Sequence, residues 1–186
     1  EGPGVVLDGS DPAYLARGDW RNDGGGVFSV PFMGWTRLVC ADSLQRLYRQ
    51  RNLGELQTNF NGMTAGWALD SGRLWVKLED QSSPAGHVMH VARYNVGIEL
   101  AVSDWHVSGF EIRYFGSDST LAPNGLPVSA GILLRSHGCL ITRNHVHTIG
   151  GRGIYFIDAA ADNLVENNLC RDPRIGWWNR AVSKSH

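Results

Sequence analysis

The sequence predicts an all-β chain whose C-terminal half is a stack of parallel coils, with a β-rich subdomain inserted upstream of it. Three features predict this: a repeat near 22 residues, apolar columns that keep their place from one repeat to the next, and a hairpin-rich block in which the repeat is lost. A missed repeat misassigns a whole fold, so the repeat is the first signal to weigh.

Three segments align on a Gly-Ile start: Gly97-Ile98-Glu99-Leu100 running to Ile112, Gly131-Ile132-Leu133-Leu134 running to Val146, and Gly153-Ile154-Tyr155-Phe156 running to Leu169. The last two begin 22 residues apart, and a loop from Gly116 to Ala130 accounts for the longer first interval. Stacking the segments gives the columns Ile98/Ile132/Ile154, Leu100/Leu134/Phe156, Val107/Ile141/Leu164 and Ile112/Val146/Leu169, the third with one extra turn residue in the last segment. Within each short run apolar residues recur at i and i+2, the period of a strand, and turn residues such as Ser136-His137-Gly138 and Asp162-Asn163 separate the runs. Asn144 and Asn167 fall at equivalent places between two strands, where Asn tolerates a left-handed turn and can hydrogen-bond its counterpart one coil away. An antiparallel β-sandwich would explain the short strands but neither the fixed register nor the paired asparagines.

Gly-Ile-x-Leu followed by an apolar pair, Asn and another apolar residue resembles the repeat of the pectate-lyase-like right-handed parallel β-helix superfamily. The resemblance covers roughly residues 91–186, and Val6-Leu7-Asp8-Gly9 resembles the strand and turn closing an earlier coil. It implies a single-stranded solenoid in three parts: a partial coil over 1–19, the inserted subdomain over 20–88 and further coils over 89–186. In the insertion, Trp67-Ala68-Leu69 and Leu74 to Leu78 flank the turn Asp70-Ser71-Gly72. Val27 to Val30 and Arg37 to Cys40 read as strands, and so does Leu44 to Arg51 in preference to a short helix. Trp35, Trp67 and Trp75 read as core of the insertion rather than sugar-stacking platforms. Both ends of the chain read as cut in mid-coil without caps, so the expectation is a fragment of a longer solenoid, or one whose open ends pack against other segments or subunits.

Composition narrows the partners. With 17 Lys+Arg against 18 Asp+Glu the net charge is -1, which supplies no overall field for a nucleic acid or an anionic membrane. No apolar run approaches the roughly 20 residues of a membrane helix. Cys40, Cys139 and Cys170 show no metal-type spacing and read as small buried hydrophobes. The expected partner is a polysaccharide, since stacked coils present outward side chains in rows about 4.8 Å apart, suited to a linear polymer.

The run Val182-Ser183-Lys184-Ser185-His186 resembles the lysine-bearing strand of β-helical lyases acting on alginate and dermatan sulfate. That resemblance implies Lys184 as the base removing the proton beside a uronate carboxylate, with an arginine assisting and calcium neutralising the carboxylate. It also implies a secreted protein, extracellular or periplasmic, with no signal peptide in this chain. The chemistry asks for a base and for positive charge facing a developing enolate. Arg143, His145 and His147 are the candidates to assist catalysis. Arg135, Tyr155, Arg171, Trp177, Trp178 and His186 are candidates to bind substrate, and Glu166, Asn168 and Asp172 could offer hard oxygen ligands to Ca²⁺. His145 and His147 share one strand face, which suits a transition metal, but a third ligand is not evident. The leading function is therefore β-elimination on a uronate-containing polysaccharide, with uronate C5-epimerisation as a neighbouring activity. A non-catalytic adhesin or glycan-binding segment is the alternative from another class. A glycoside hydrolase needs two carboxylates, for which Asp158, Glu166 and Asp172 are candidates without a distinguishing spacing.

Overall fold

The computed structural model describes residues 4–43, 45–117, 128–157 and 160–173, with Asp172 and Pro173 by backbone alone. Lys184, Trp177, Trp178, His186 and Asp158 lie outside the described residues. The chain divides into two compact units, Glu1–Gly9 with Ala92–His186, and Ser10–Val91. The compact unit Ser10–Val91 spans the block expected over 20–88. Its two ends are held together locally: Asp11 N–H donates to the Val91 carbonyl at 2.8 Å, and the Ser10 hydroxyl meets His90 Nδ1 at 2.9 Å.

After strand β1 (Val5–Asp8), the inserted unit comprises α1 (Pro12–Leu15), β2 (Arg21–Asn22), β3 (Val27–Pro31), β4 (Val39–Ala41), β5 (Gln45–Arg46), α2 (Leu53–Gln57), β6 (Gly66–Asp70), β7 (Arg73–Lys77) and β8 (Met89–Val91). It holds two antiparallel sheets, in the orders β2-β3-β7-β6 and β5-β4-β8. The expected hairpin forms across a two-residue turn, with Asp70 opposite Arg73 and both Ser71 (φ 47°) and Gly72 (φ 71°) left-handed, the geometry that matches strand twist. Alternation along β6 and β7 sends Trp67, Leu74 and Val76 into one apolar cluster and Ala68 and Trp75 into another. Trp67 and Trp75 are core residues, whereas Trp35, in the loop after β3, stays 41% exposed. The strand expected over Leu44 to Arg51 shrinks to Gln45–Arg46, and a helix follows that the sequence reading had missed. That helix starts because Asn52 Oδ1 accepts the Glu55 N–H (3.0 Å) while Glu55 Oε2 accepts the Arg51 N–H (2.9 Å), a reciprocal cap.

The second unit continues with β9 (Val96–Leu100), β10 (His106–Ser108), β11 (Phe110–Arg113), β12 (Ala130–Leu134), β13 (Leu140–Thr142), β14 (His145–Ile149), β15 (Arg152–Phe156), β16 (Leu164–Glu166) and β17 (Leu169–Pro173). These strands and β1 form three parallel sheets, β1-β11-β14-β17, β10-β13-β16 and β15-β12-β9. From β9 onward the chain visits them in the same order three times, so every third strand pairs in parallel. The result is all-β with parallel sheets and few helical turns, consistent with a β-helix. No helix among the described residues is long and apolar enough to cross a membrane.

Inward residues stack as the columns anticipated for the first strand of each circuit: Ile98/Ile132/Ile154 and Leu100/Leu134/Phe156 are register partners. Leu7, Val107, Ile112, Ile141, Val146 and Ile149 join the same core. The Gly-Ile start has a steric cause: a Cβ on Gly131 would run into the Val146 side chain and the Gly153 carbonyl. Three turn columns carry left-handed residues, Asp104/Gly138/Asp162, Gly109/Arg143/Asn167 and Tyr114/Thr148.

In the third circuit the register differs from the expectation by one residue. Ile141 pairs with Val165, not Leu164, and Val146 with Cys170, not Leu169. The turn after β15 holds two extra residues where one was allowed, and Leu164 and Leu169 are left 54% and 45% exposed. The asparagine ladder shifts with it, to Asn144 and Asn168. Asn144 Nδ2 donates to the Val107 carbonyl and to Asn168 Oδ1 (both 3.0 Å), while Asn168 Nδ2 donates to the Ile141 carbonyl (2.7 Å). Asn144 Oδ1 accepts the Phe110 N–H (3.1 Å), and Asn168 Oδ1 accepts that of Asn144 (2.9 Å). Asn167 instead takes the left-handed position (φ 55°), which hydrophobicity alone does not reveal. Cys40 and Cys139 are buried, Cys170 is half-buried, and all three are free thiols. Burial pushes the Cys40 thiol up to about 12 and that of Cys170 to about 11.

Asn144 is 2% exposed, so its replacement strands buried backbone groups of two circuits. Asn144→Ala should cost about 2 kcal/mol in urea unfolding, from the desolvation of unmatched polar groups. Asn167→Gly should be close to neutral by the same measurement. The reverse ranking would show that Asn167 carries the ladder.

Candidate functional site

Side chains alternate across a strand, so burying Leu7, Ile112, Val146 and Cys170 turns their neighbours outward on the β1-β11-β14-β17 sheet. Register then fixes two rows across the strands. One runs Val6, Glu111, His145, Leu169, and the other Asp8, Arg113, His147, Arg171. Six of these eight side chains are titratable.

The contacts link into a chain. Arg113 Nε donates to Asp8 Oδ2 at 3.0 Å, and its Nη1 to Glu111 Oε1 at 2.9 Å. Glu111 Oε1 also lies 3.2 Å from His147 Nε2, and His147 Nδ1 lies 3.1 Å from the Thr148 hydroxyl. Partial burial works to raise the Glu111 pKa, but the His147 hydrogen bond and the charges of Arg113 and both histidines outweigh it, leaving it below the usual range. An ionised Glu111 only accepts, so His147 Nε2–H donates to it, with Nδ1 beside the Thr148 hydroxyl. Thr148 is β-branched yet holds φ at 51°, a strained conformation directly beside this imidazole.

The His145 ring stacks near that of His147, with centroids 4.5 Å apart and planes at 31°. Burial, then the neighbouring His147, hold the His145 pKa below its usual 6.5, with Arg171 adding to the effect and Glu111 opposing it. His145 Nε2 is buried and has no hydrogen-bond partner among the described residues. The face thus holds a neutral imidazole with unused hydrogen-bonding capacity, a second imidazole oriented by a carboxylate, and the exposed Arg171 in the row of His147. Such a set can exchange a proton and meet an anionic group.

Of the residues proposed from the sequence, His145, His147 and Arg171 come together here. Arg143 is exposed at the left-handed turn entering β14. Glu166 lies on another sheet, paired with Thr142, and Asn168 spends its amide in the ladder. The side chain of Asp172 is outside the described residues. Among the described residues no group of three His, Cys, Asp or Glu side chains is arranged to hold a metal ion. Arg135 pairs with Glu99 at 2.6 Å beside the third sheet. Tyr155 is buried with Leu133 and Ile157 in a second apolar cluster, under the Arg152 guanidinium at 4.1 Å from its ring centre. Asp8, Glu111 and Arg113 were missed by the sequence reading. The Ile112/Val146 column already placed Glu111 beside His145 and Arg113 beside His147.

No family model and no curated protein matches the chain. A solved structure does: XylC in complex with xylose superposes with a TM-score of 0.60 at 11% identity, covering 90% of this chain. The likeness supports a β-helix fold. The chain spans 43% of the length of XylC.

A lowered His145 pKa means the unfolded chain binds its proton first as pH falls, so stability is present above about 6.5 and is lost as pH drops below it. The slope of Tm against pH between about 5 and 7 should flatten in His145→Gln. Histidine Cε1 titration by NMR should place the His145 midpoint below the usual 6.5.

Proposed function

We propose that the chain is part of a carbohydrate-active, right-handed, single-stranded β-helix acting on a uronate-containing polysaccharide by β-elimination. The observation that carries this reading is the double row of Glu111, His145, Arg113, His147 and Arg171 on one outward sheet face. Rows repeating at about 4.8 Å suit a linear polymer, and the structural neighbour XylC is known here with a bound sugar.

In β-elimination a base removes the proton beside the uronate carboxylate, the electron pair forms the ring double bond, and the glycosidic oxygen leaves with a proton. The reading assigns Arg171 to the carboxylate, whose charge grows as the enolate develops. His147, steered by Glu111, supplies the leaving-group proton, and His145 assists transfer at the same face, with Arg143 at the turn that leads into its strand. Lys184 is the proposed base, on its lyase-like setting. A proton donor or acceptor removed from such a set lowers turnover about 10² to 10⁴-fold.

A second reading rests on a different observation. Arg113 is already neutralised by Asp8 and Glu111, and a face balanced within itself suits a non-catalytic segment that holds glycans. Ultraviolet absorbance on alginate, pectate and dermatan sulfate separates the two. The lyase reading expects unsaturated product, reduced about 10²-fold or more in His147→Ala and Lys184→Ala. Binding without product, unchanged in Lys184→Ala, would establish the second.

A further inference from the structure

We infer that the inserted unit carries its own sugar-binding subsite, a cleft between Trp35 and the tip of the β6–β7 hairpin that takes one neutral pyranose residue of a glycan. The inference rests on the carbohydrate reading of the protein and adds to it a site far from the row of histidines in sequence. The cleft is open to solvent, has a volume of about 170 Å³ and is lined by Phe32, Trp35, Asp70, Ser71, Gly72 and Arg73. That is below the roughly 300–1,000 Å³ typical of pockets for drug-sized ligands, which limits the occupant to about one ring.

The walls are fixed before any ligand arrives. Phe32 N–H donates to the Gly72 carbonyl at 2.9 Å, which seats the aromatic segment on the hairpin tip. Arg73 donates to the Ser29 hydroxyl (3.0 Å) and carbonyl (3.3 Å), and Trp75 Nε1–H donates to the Asp70 carbonyl (3.3 Å). A pocket held this way loses little conformational entropy on binding.

The chemistry matches a sugar on both of its faces. Trp35 is 41% exposed while Trp67 and Trp75 are 1% and 7%, so this one of the three indoles is withheld from the core. The Arg49 guanidinium lies 4.5 Å from the Trp35 ring centre and is not part of the cleft lining, whereas Trp35 is. A pyranose offers a C–H face to such an aromatic surface and hydroxyls at its edge. Across the cleft, Ser71 donates to Asp70 Oδ1 at 2.9 Å, while the second Asp70 oxygen makes no hydrogen bond within the described residues. That oxygen can accept from a sugar hydroxyl, and the opposite charges of Asp70 and Arg73 in the lining leave no net charge to draw a uronate. The preferred occupant is therefore an uncharged sugar, unlike the substrate proposed for the histidine face.

The test is ¹H–¹⁵N NMR on the whole chain, titrated separately with xylotetraose, cellotetraose and mannotetraose. The expected result is saturable shifts of the Trp35 indole and the Ser71 and Gly72 amides with at least one of the three. Trp35→Ala should weaken that binding about tenfold, and Asp70→Asn should weaken it by several-fold, with dispersed spectra confirming that both variants fold. His147→Ala should leave it unchanged. Binding that survives Trp35→Ala, shifts confined to other residues, or no saturable shift with any of the three sugars would overturn the subsite. Those outcomes leave the lyase reading to its own product assay, which uses acidic polymers.

Discussion

Parallel register between successive circuits is the constraint on which the second unit depends. Each strand finds its hydrogen-bond partners one circuit before and one circuit after, so a residue's place in its own circuit fixes its neighbours. Apolar side chains stack over apolar ones in the interior, and the outward residues are stacked by the same rule. A one-residue slip would turn the Ile112/Val146/Cys170 column outward and bury the Glu111/His145 and Arg113/His147 rows. Leaving those charged groups without water would cost more than the apolar column could recover.

The turns enforce that register. Left-handed residues recur in columns, and beside one of them Asn144 and Asn168 reach the backbone groups that the bend leaves unmatched. Buried backbone groups must find partners. An amide side chain, with donors and an acceptor on one short stem, answers that need at a bend where neither strand can. This is why the ladder outranks hydrophobicity in the third circuit, leaving Leu164 and Leu169 in solvent while the smaller Val165 and Cys170 point inward.

Chemistry gathers where the register places ionisable residues in neighbouring strands. His145 and His147 share a face because they stand two apart on one strand. Their tuning comes from elsewhere: Glu111 and Arg113 belong to the preceding circuit and Arg171 to the following one. The inserted unit is built differently, on antiparallel hairpins whose tips are fixed by left-handed turn residues. There Phe32 is tied to the hairpin tip through the Gly72 carbonyl, and Arg73 reaches back to Ser29 on the neighbouring strand.

The repeat, the inward columns of the first strands, the hairpin turn at Ser71-Gly72 and the presence of an insertion were determined by the sequence, because strand periodicity and turn chemistry are local. The helix after Asn52 was legible too, in the spacing of Asn52 and Glu55, but the β-rich surroundings masked it. Only the tertiary structure decided which asparagine enters the ladder, and that Tyr155 is buried while Trp35 is exposed. Each of these depends on partners distant in the chain. The number of residues a turn absorbs is set by the circuit beneath it, and the burial of an aromatic ring is set by the surfaces that close over it.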